Sequence, residues 1–115
     1  MKLVCELPAS PTDLTDPIEM KISFHSTEAR KRTWKFLLVL DTVFAQQPVH
    51  LMDVTTEDAV GVLEISSSPL TFLADLSPRI LENIALLEIS TDGEVLERFV
   101  ISMSLATWKK QLFQK

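Results

Sequence analysis

Two histidines, one cysteine and sixteen carboxylates are the residues of this chain whose types could move a proton, hold a metal or attack an electrophile. His25 and His50 have no Cys or His partner three or four positions away, and neither C-x-x-C nor H-E-x-x-H occurs, so a structural zinc site is not expected. His50 and Asp53 stand three apart, a spacing that sends side chains to opposite faces of a regular strand. Cys5 would act as a nucleophile only beside a base, and the sequence names none, so an inert small hydrophobe is expected there. The only two glycines, Gly61 and Gly93, stand alone, whereas a phosphate-cradling loop needs several together. Paired carboxylates are defined by their separation in space, so a small enzyme using scattered carboxylates stays as a minor alternative. No catalytic residue, metal ligand or cofactor site is assigned.

A basic run, Arg30, Lys31, Arg32 and Lys35 around Trp34, has the residue types that neutralise phosphates and stack on bases. The whole chain opposes that use, because 11 bases against 16 acids give a formal charge of −5. With a pI near 4.9, long-range attraction to a polyanion is not expected, and these four residues are read as a solvated charged patch or a contact for an acidic protein. Charge is unevenly spread. Residues 53–97 hold ten acids and one base, while residues 98–115 hold four bases and no acid.

The elements that must position these groups are read from periodicity. A length of 115 residues fits one domain, residues 1–115, with a Pro-rich loop at 8–17 inside it. Leu3 to Leu7 reads as a short strand, and Ile18 to His25 alternates apolar and polar residues, predicting a half-buried strand with Ile18, Met20, Ile22 and Phe24 inward. Residues 26–47 are ambiguous. Ser26 as a cap, strong helix formers at 28–32, an apolar face at Phe36, Leu37, Leu40, Val43 and Phe44, and Pro48 as a stop predict a helix near 27–46. Trp34 to Leu40 also reads as a buried strand.

Residues 49–54 and 59–66 read as a hairpin through the turn 55–58, one or two short helices are expected over 69–84, and Asp92-Gly93 marks a hairpin between 84–90 and 95–102. Ser104 would cap a C-terminal helix with Leu105, Trp108, Leu112 and Phe113 on one face. Because two glycines are few for a seven- or eight-stranded sandwich, the expected class is α+β: an antiparallel sheet built from hairpins, a longer helix near 27–46 and a C-terminal helix. The alternative is an all-β sandwich with a C-terminal helix.

A lone cysteine and an N-terminus without a signal-peptide apolar region favour a reducing, cytoplasmic setting. The longest apolar run, residues 36–40, is far short of the roughly 20 residues a membrane span needs. High apolar content without a catalytic constellation points to a non-enzymatic interaction protein, an adaptor, regulator or chaperone-like binder that self-associates as a homodimer. Trp34, Leu38, Trp108 and Phe113 are the candidate contributors to its surface. On element order alone, over residues 27–113, the chain loosely resembles the dimeric secretion chaperones that hold an extended client. If residues 33–41 are instead a strand, the expected function is a β-rich module whose edges or loops bind a peptide or ligand.

Overall fold

Alternation along Glu19–His25 exposes Glu19, Lys21 and His25 and buries Met20, Ile22 and Phe24, as period-two patterning requires. The structure, a computed structural model, describes residues 1–41, 46–76 and 85–114. The strands are β1 (Lys2–Glu6), β2 (Thr12–Asp13), β3 (Glu19–His25), β4 (Arg32–Asp41), β5 (Gln46–Thr56), β6 (Val60–Ser66), β7 (Ala85–Thr91), β8 (Glu94–Ser104) and β9 (Lys109–Gln114). A 3-10 turn spans Thr71–Asp75. Two antiparallel sheets result, ordered β1-β3-β6 and β2-β9-β8-β7-β4-β5. Their inner faces share one apolar core, in which the Phe24 ring of β3 meets the Trp34 ring of β4 at a centroid distance of 5.2 Å.

The α+β expectation is overturned, since no α-helix occurs among the described residues. The segment expected as the longer helix contributes β4, paired with β5 on one side and β7 on the other. Its inner face buries Trp34, Phe36, Leu38 and Leu40, while Val39 on the opposite face is also buried. Over residues 36–40 the outer face is buried or half-buried as well, so this part of the strand carries a continuous apolar run, and such a run mimics a wide helical face. Helix propensity at 28–32 is a weak local preference, and the ladders on both sides of β4 outweigh it. Ser26 does not cap a helix. Its Oγ accepts a bond from the Arg32 guanidinium at 2.7 Å instead. Val43 and Phe44 lie outside the described residues.

The C-terminal helix is also replaced. Thr107 N–H reaches Ser104 Oγ at 3.5 Å as a cap would, but Trp108 takes φ 55° and turns the chain into β9, which pairs along β8. The all-β alternative fits, without the helix it carried. The hairpin expected over 49–66 is a crossover, since β5 and β6 belong to different sheets and residues 57–59 pass between them. Of the short helices expected over 69–84, residues 71–75 form the 3-10 turn, and 77–84 fall outside the description. The element order shared with secretion chaperones disappears with these helices.

The scarcity of glycine is explained by how few left-handed positions the fold uses. Among the described residues, φ is positive only at Asp92, Gly93 and Trp108. Asp92 and Gly93, at 52° and 83°, make the two-residue turn joining β7 to β8, whose twist matches the strands it connects. Gly61 serves a different need. A Cβ there would stand 2.8 Å from Cζ of Phe24, so the ring occupies the space a side chain would take. Gly61→Ala should therefore lower stability by about 1–3 kcal/mol, the usual effect of overpacking, read from the urea midpoint.

Candidate functional site

The four expected contributors to an interaction surface separate. Trp34 and Leu38 are core residues, 0% and 2% exposed, held inward by β4 between its two neighbours. Trp108 and Phe113 are 40% and 46% exposed, but one sits in the turn before β9 and the other near that strand's end. Five residues of extended chain span about 17 Å, so they do not make one patch. The basic run separates as well. Lys31 and Lys35 point to solvent, Arg30 lies on the surface 3.2 Å from Asp92 and 3.8 Å from Glu28, and Arg32 is buried.

Arg32 was expected in water and is 2% exposed. As the first residue of β4 it falls in the same alternating set as Trp34 and Phe36, so strand formation carries it inward. Its Nη2 donates to Ser26 Oγ at 2.7 Å and to the Glu28 carbonyl at 3.1 Å, which ties down the 26–31 connection. Among the described residues, Nε and Nη1 are buried without any partner. Leaving a buried donor unpaired costs about 1–3 kcal/mol, and more for a charged group. Arg32 also lines a cavity of about 440 Å³ with Ser26, Glu28, Arg30, Asp92 and Leu96. No periodicity argument signals this, because burial of a strand's first residue depends on which face the neighbouring sheet covers.

The sheet edges differ in how they are guarded. β5 carries Pro48, which cannot donate to a ladder, an irregularity in register opposite Phe36 and Leu37, and an outward His50 and Asp53 pair. β2 has two residues, and β1 carries Lys2 and Glu6. β6 is seven residues long, has no proline and no base, and holds Val60 and Val62, 57% and 55% exposed. Among the described residues its only ladder partner is β3. Beside it, a cleft of about 440 Å³ runs between the sheets, lined by Phe24, Thr55, Thr56, Gly61 and Val62, with Glu57 and Asp58 at its mouth. Spacing alone concealed this edge, because 49–66 read as a hairpin would have paired β6 with β5.

His50 and Asp53 correct another expectation. His50 Nε2 lies 2.7 Å from Asp53 Oδ1, on the same side of β5. The register passes from Met52 opposite Phe36 to His50 opposite Leu37, so Leu51 is an inserted residue and the alternation flips. Both side chains are about half exposed, and the pair stands apart from the cleft and the Arg32 cavity. Among the described residues no group of three His, Cys, Asp or Glu side chains could hold a metal ion.

Burial, with a smaller contribution from the Glu97 carboxylate, raises the Cys5 thiol from 9.0 to about 11. At pH 8 its thiolate fraction is then about 100-fold below that of an ordinary thiol. Because the more basic thiolate is also the stronger nucleophile, labelling by a disulfide reagent should be slower by about tenfold in the folded protein than in the urea-unfolded chain; equal rates would refute the shift. Because the folded value is the higher one, this group's contribution to stability is intact below about pH 9 and is lost as pH rises toward 11.

No helix of the described residues is long and apolar enough to cross a membrane. The sequence matches no family model and none of the curated proteins, so the molecule's own geometry carries the functional argument.

Proposed function

We propose that this protein is a non-enzymatic β-sandwich binding module that captures an extended protein segment by strand addition along β6. The observation that carries the reading is the contrast between edges: β5 is blunted by Pro48 and a register irregularity, β2 by its brevity and β1 by its terminal charges, while β6 is long and uninterrupted. An open edge offers a row of backbone donors and acceptors for main-chain pairing, and alternate side chains give selectivity. Val60 and Val62 supply apolar contacts, and Glu57, Asp58 and Glu64 favour a segment that alternates apolar residues with Lys or Arg. An adaptor or client-holding role follows from such capture, and the lone Cys5 suits a cytoplasmic setting.

The test is selection from a displayed random-peptide library. Enriched sequences should alternate apolar and basic residues, and their affinity should fall at least tenfold for Val62→Lys while the circular dichroism spectrum is unchanged. Absence of enrichment, or equal binding to Val62→Lys, would overturn the reading. A second copy of the chain is the competing occupant of the same edge. Light scattering over a dilution series separates the two, since a dimer dissolved by Val62→Lys would replace peptide capture with self-association.

A further inference from the structure

The Arg32 cavity lies apart from the β6 edge and is independent of the strand-addition reading. Its wall is built from two connections and the strands beside them. Ser26, Thr27, Glu28 and Arg30 come from the chain between β3 and β4, Thr91 from the end of β7, Asp92 from the turn after it, and Leu96 from β8. Among the described residues the guanidinium is held from one side only, because its donations leave from Nη2 toward Ser26 and Glu28. Nε and Nη1 are sealed from water and unpartnered among the described residues, a costly arrangement that an acceptor from outside the chain would relieve.

We propose that Arg32 anchors a site for a carboxylate group at this end of the sandwich. Arg30, in the same wall, cannot serve instead, since it already faces Asp92 and Glu28. The charge of the wall selects the ligand. Arg30 and Arg32 stand against Glu28, Asp92 and Glu94, which leaves the wall one negative charge in excess, so a dianionic phosphate is repelled about twice as strongly as a carboxylate, whose single charge Arg32 can pair. The volume of about 440 Å³ suits a group of amino-acid size, and Val95 and Leu96 give it an apolar wall beside the charge. Met1 lines the same cavity and belongs to no ladder pair.

The carboxylate has two possible sources, a free small acid or the terminus of a peptide. The experiment follows the side-chain Nε–H resonance of Arg32 by proton–nitrogen correlation in the full-length protein, assigned with Arg32→Lys. Sodium butyrate, N-acetyl-leucine, N-acetyl-leucine amide, phosphate and chloride are titrated at matched ionic strength. The expected result is a saturable shift with butyrate and N-acetyl-leucine and none with the amide, phosphate or chloride. Tighter saturation by N-acetyl-leucine, at least tenfold, assigns the site to a peptide terminus, and equal saturation assigns it to a free acid. No saturable shift with either carboxylate, or an equal shift with phosphate or chloride, overturns the proposal. Should Arg32→Lys not fold, single Lys replacements of Arg30 and Arg98, both on the surface, assign their own resonances, and the buried Arg32 is known by its slow exchange with water; the peptide selection at β6 stands or falls separately.

Discussion

Replacing Trp34 with alanine should lower the free energy of unfolding by about 3–5 kcal/mol, the range for removing a large aromatic from a packed core. Three losses combine at this position. The side chain is fully buried, its ring meets Phe24 of the opposite sheet at 5.2 Å, and its Nε1–H donates to Thr56 Oγ1 at 2.9 Å. Removing it takes away the contact that joins β3 to β4 and leaves the Thr56 hydroxyl without its donor. Against a total stability of about 5–15 kcal/mol for a domain of this kind, such a loss brings the protein close to unfolding at ambient temperature. Urea denaturation followed by circular dichroism measures it. A variant of wild-type stability would return Trp34 to the surface role its residue type suggested. Leu38→Ala, 2% exposed on the same face of β4, tests the same assignment with a smaller side chain.

Lys110→Met should lower stability by about 3 kcal/mol and loosen the segment before β3. Lys110 is 2% exposed, and its Nζ donates to the backbone carbonyls of Asp13 and Asp16, both at 2.6 Å. Hydrogen bonds from a charged donor contribute about 1.5–3 kcal/mol each, and Met keeps the length of the stem while removing both. The neighbouring Lys109 pairs with the Asp13 carboxylate at the surface, which holds that carboxyl below its ordinary range but contributes little once water screens it. The two lysines therefore predict different outcomes, a large loss for Lys110→Met and a small one for Lys109→Met.

Hydrogen exchange adds a local reading. The amide of Leu14, bonded to the Trp108 carbonyl, and that of Leu70, bonded to Thr15, should lose protection in Lys110→Met. The pH dependence has a definite sign as well. Burial lowers the Lys110 ammonium below 10.5, so the unfolded chain binds that proton more tightly, and this group's contribution to stability rises with pH up to about 10.5. That rise should be absent from Lys110→Met.

The segment 8–17 shows how far local signals reach. Its three prolines predict an irregular connection, and most of it is one, yet Thr12 and Asp13 pair with Lys110 and Lys109 to form β2. The partner lies almost a hundred residues away, and nothing in the local pattern names it. Arg32 and the β6 edge are of the same kind. Arg32 is charged, sits in a basic run and reads as solvated, but the sheet across from it makes its face an inner face. Val60 and Val62 read as ordinary β-formers, and only the order β1-β3-β6 leaves them on an open edge.

By itself the sequence determined those features that rest on neighbours in the chain: the alternation that makes β3, the Asp92-Gly93 turn that joins β7 to β8, and the small number of left-handed positions the chain can fill. Tertiary structure decided whether residues 32–41 are helix or strand, because an apolar run satisfies either until partners arrive, and β5 and β7 supply ladders on both sides. It also decided that β5 and β6 part company into different sheets, that Leu51 turns His50 toward Asp53, and that Arg32 is buried with no counter-ion among the described residues. The physical reason is common to all of them. Strand pairing and two-faced burial draw their free energy from residues distant in sequence, so a local pattern can permit them but cannot select them.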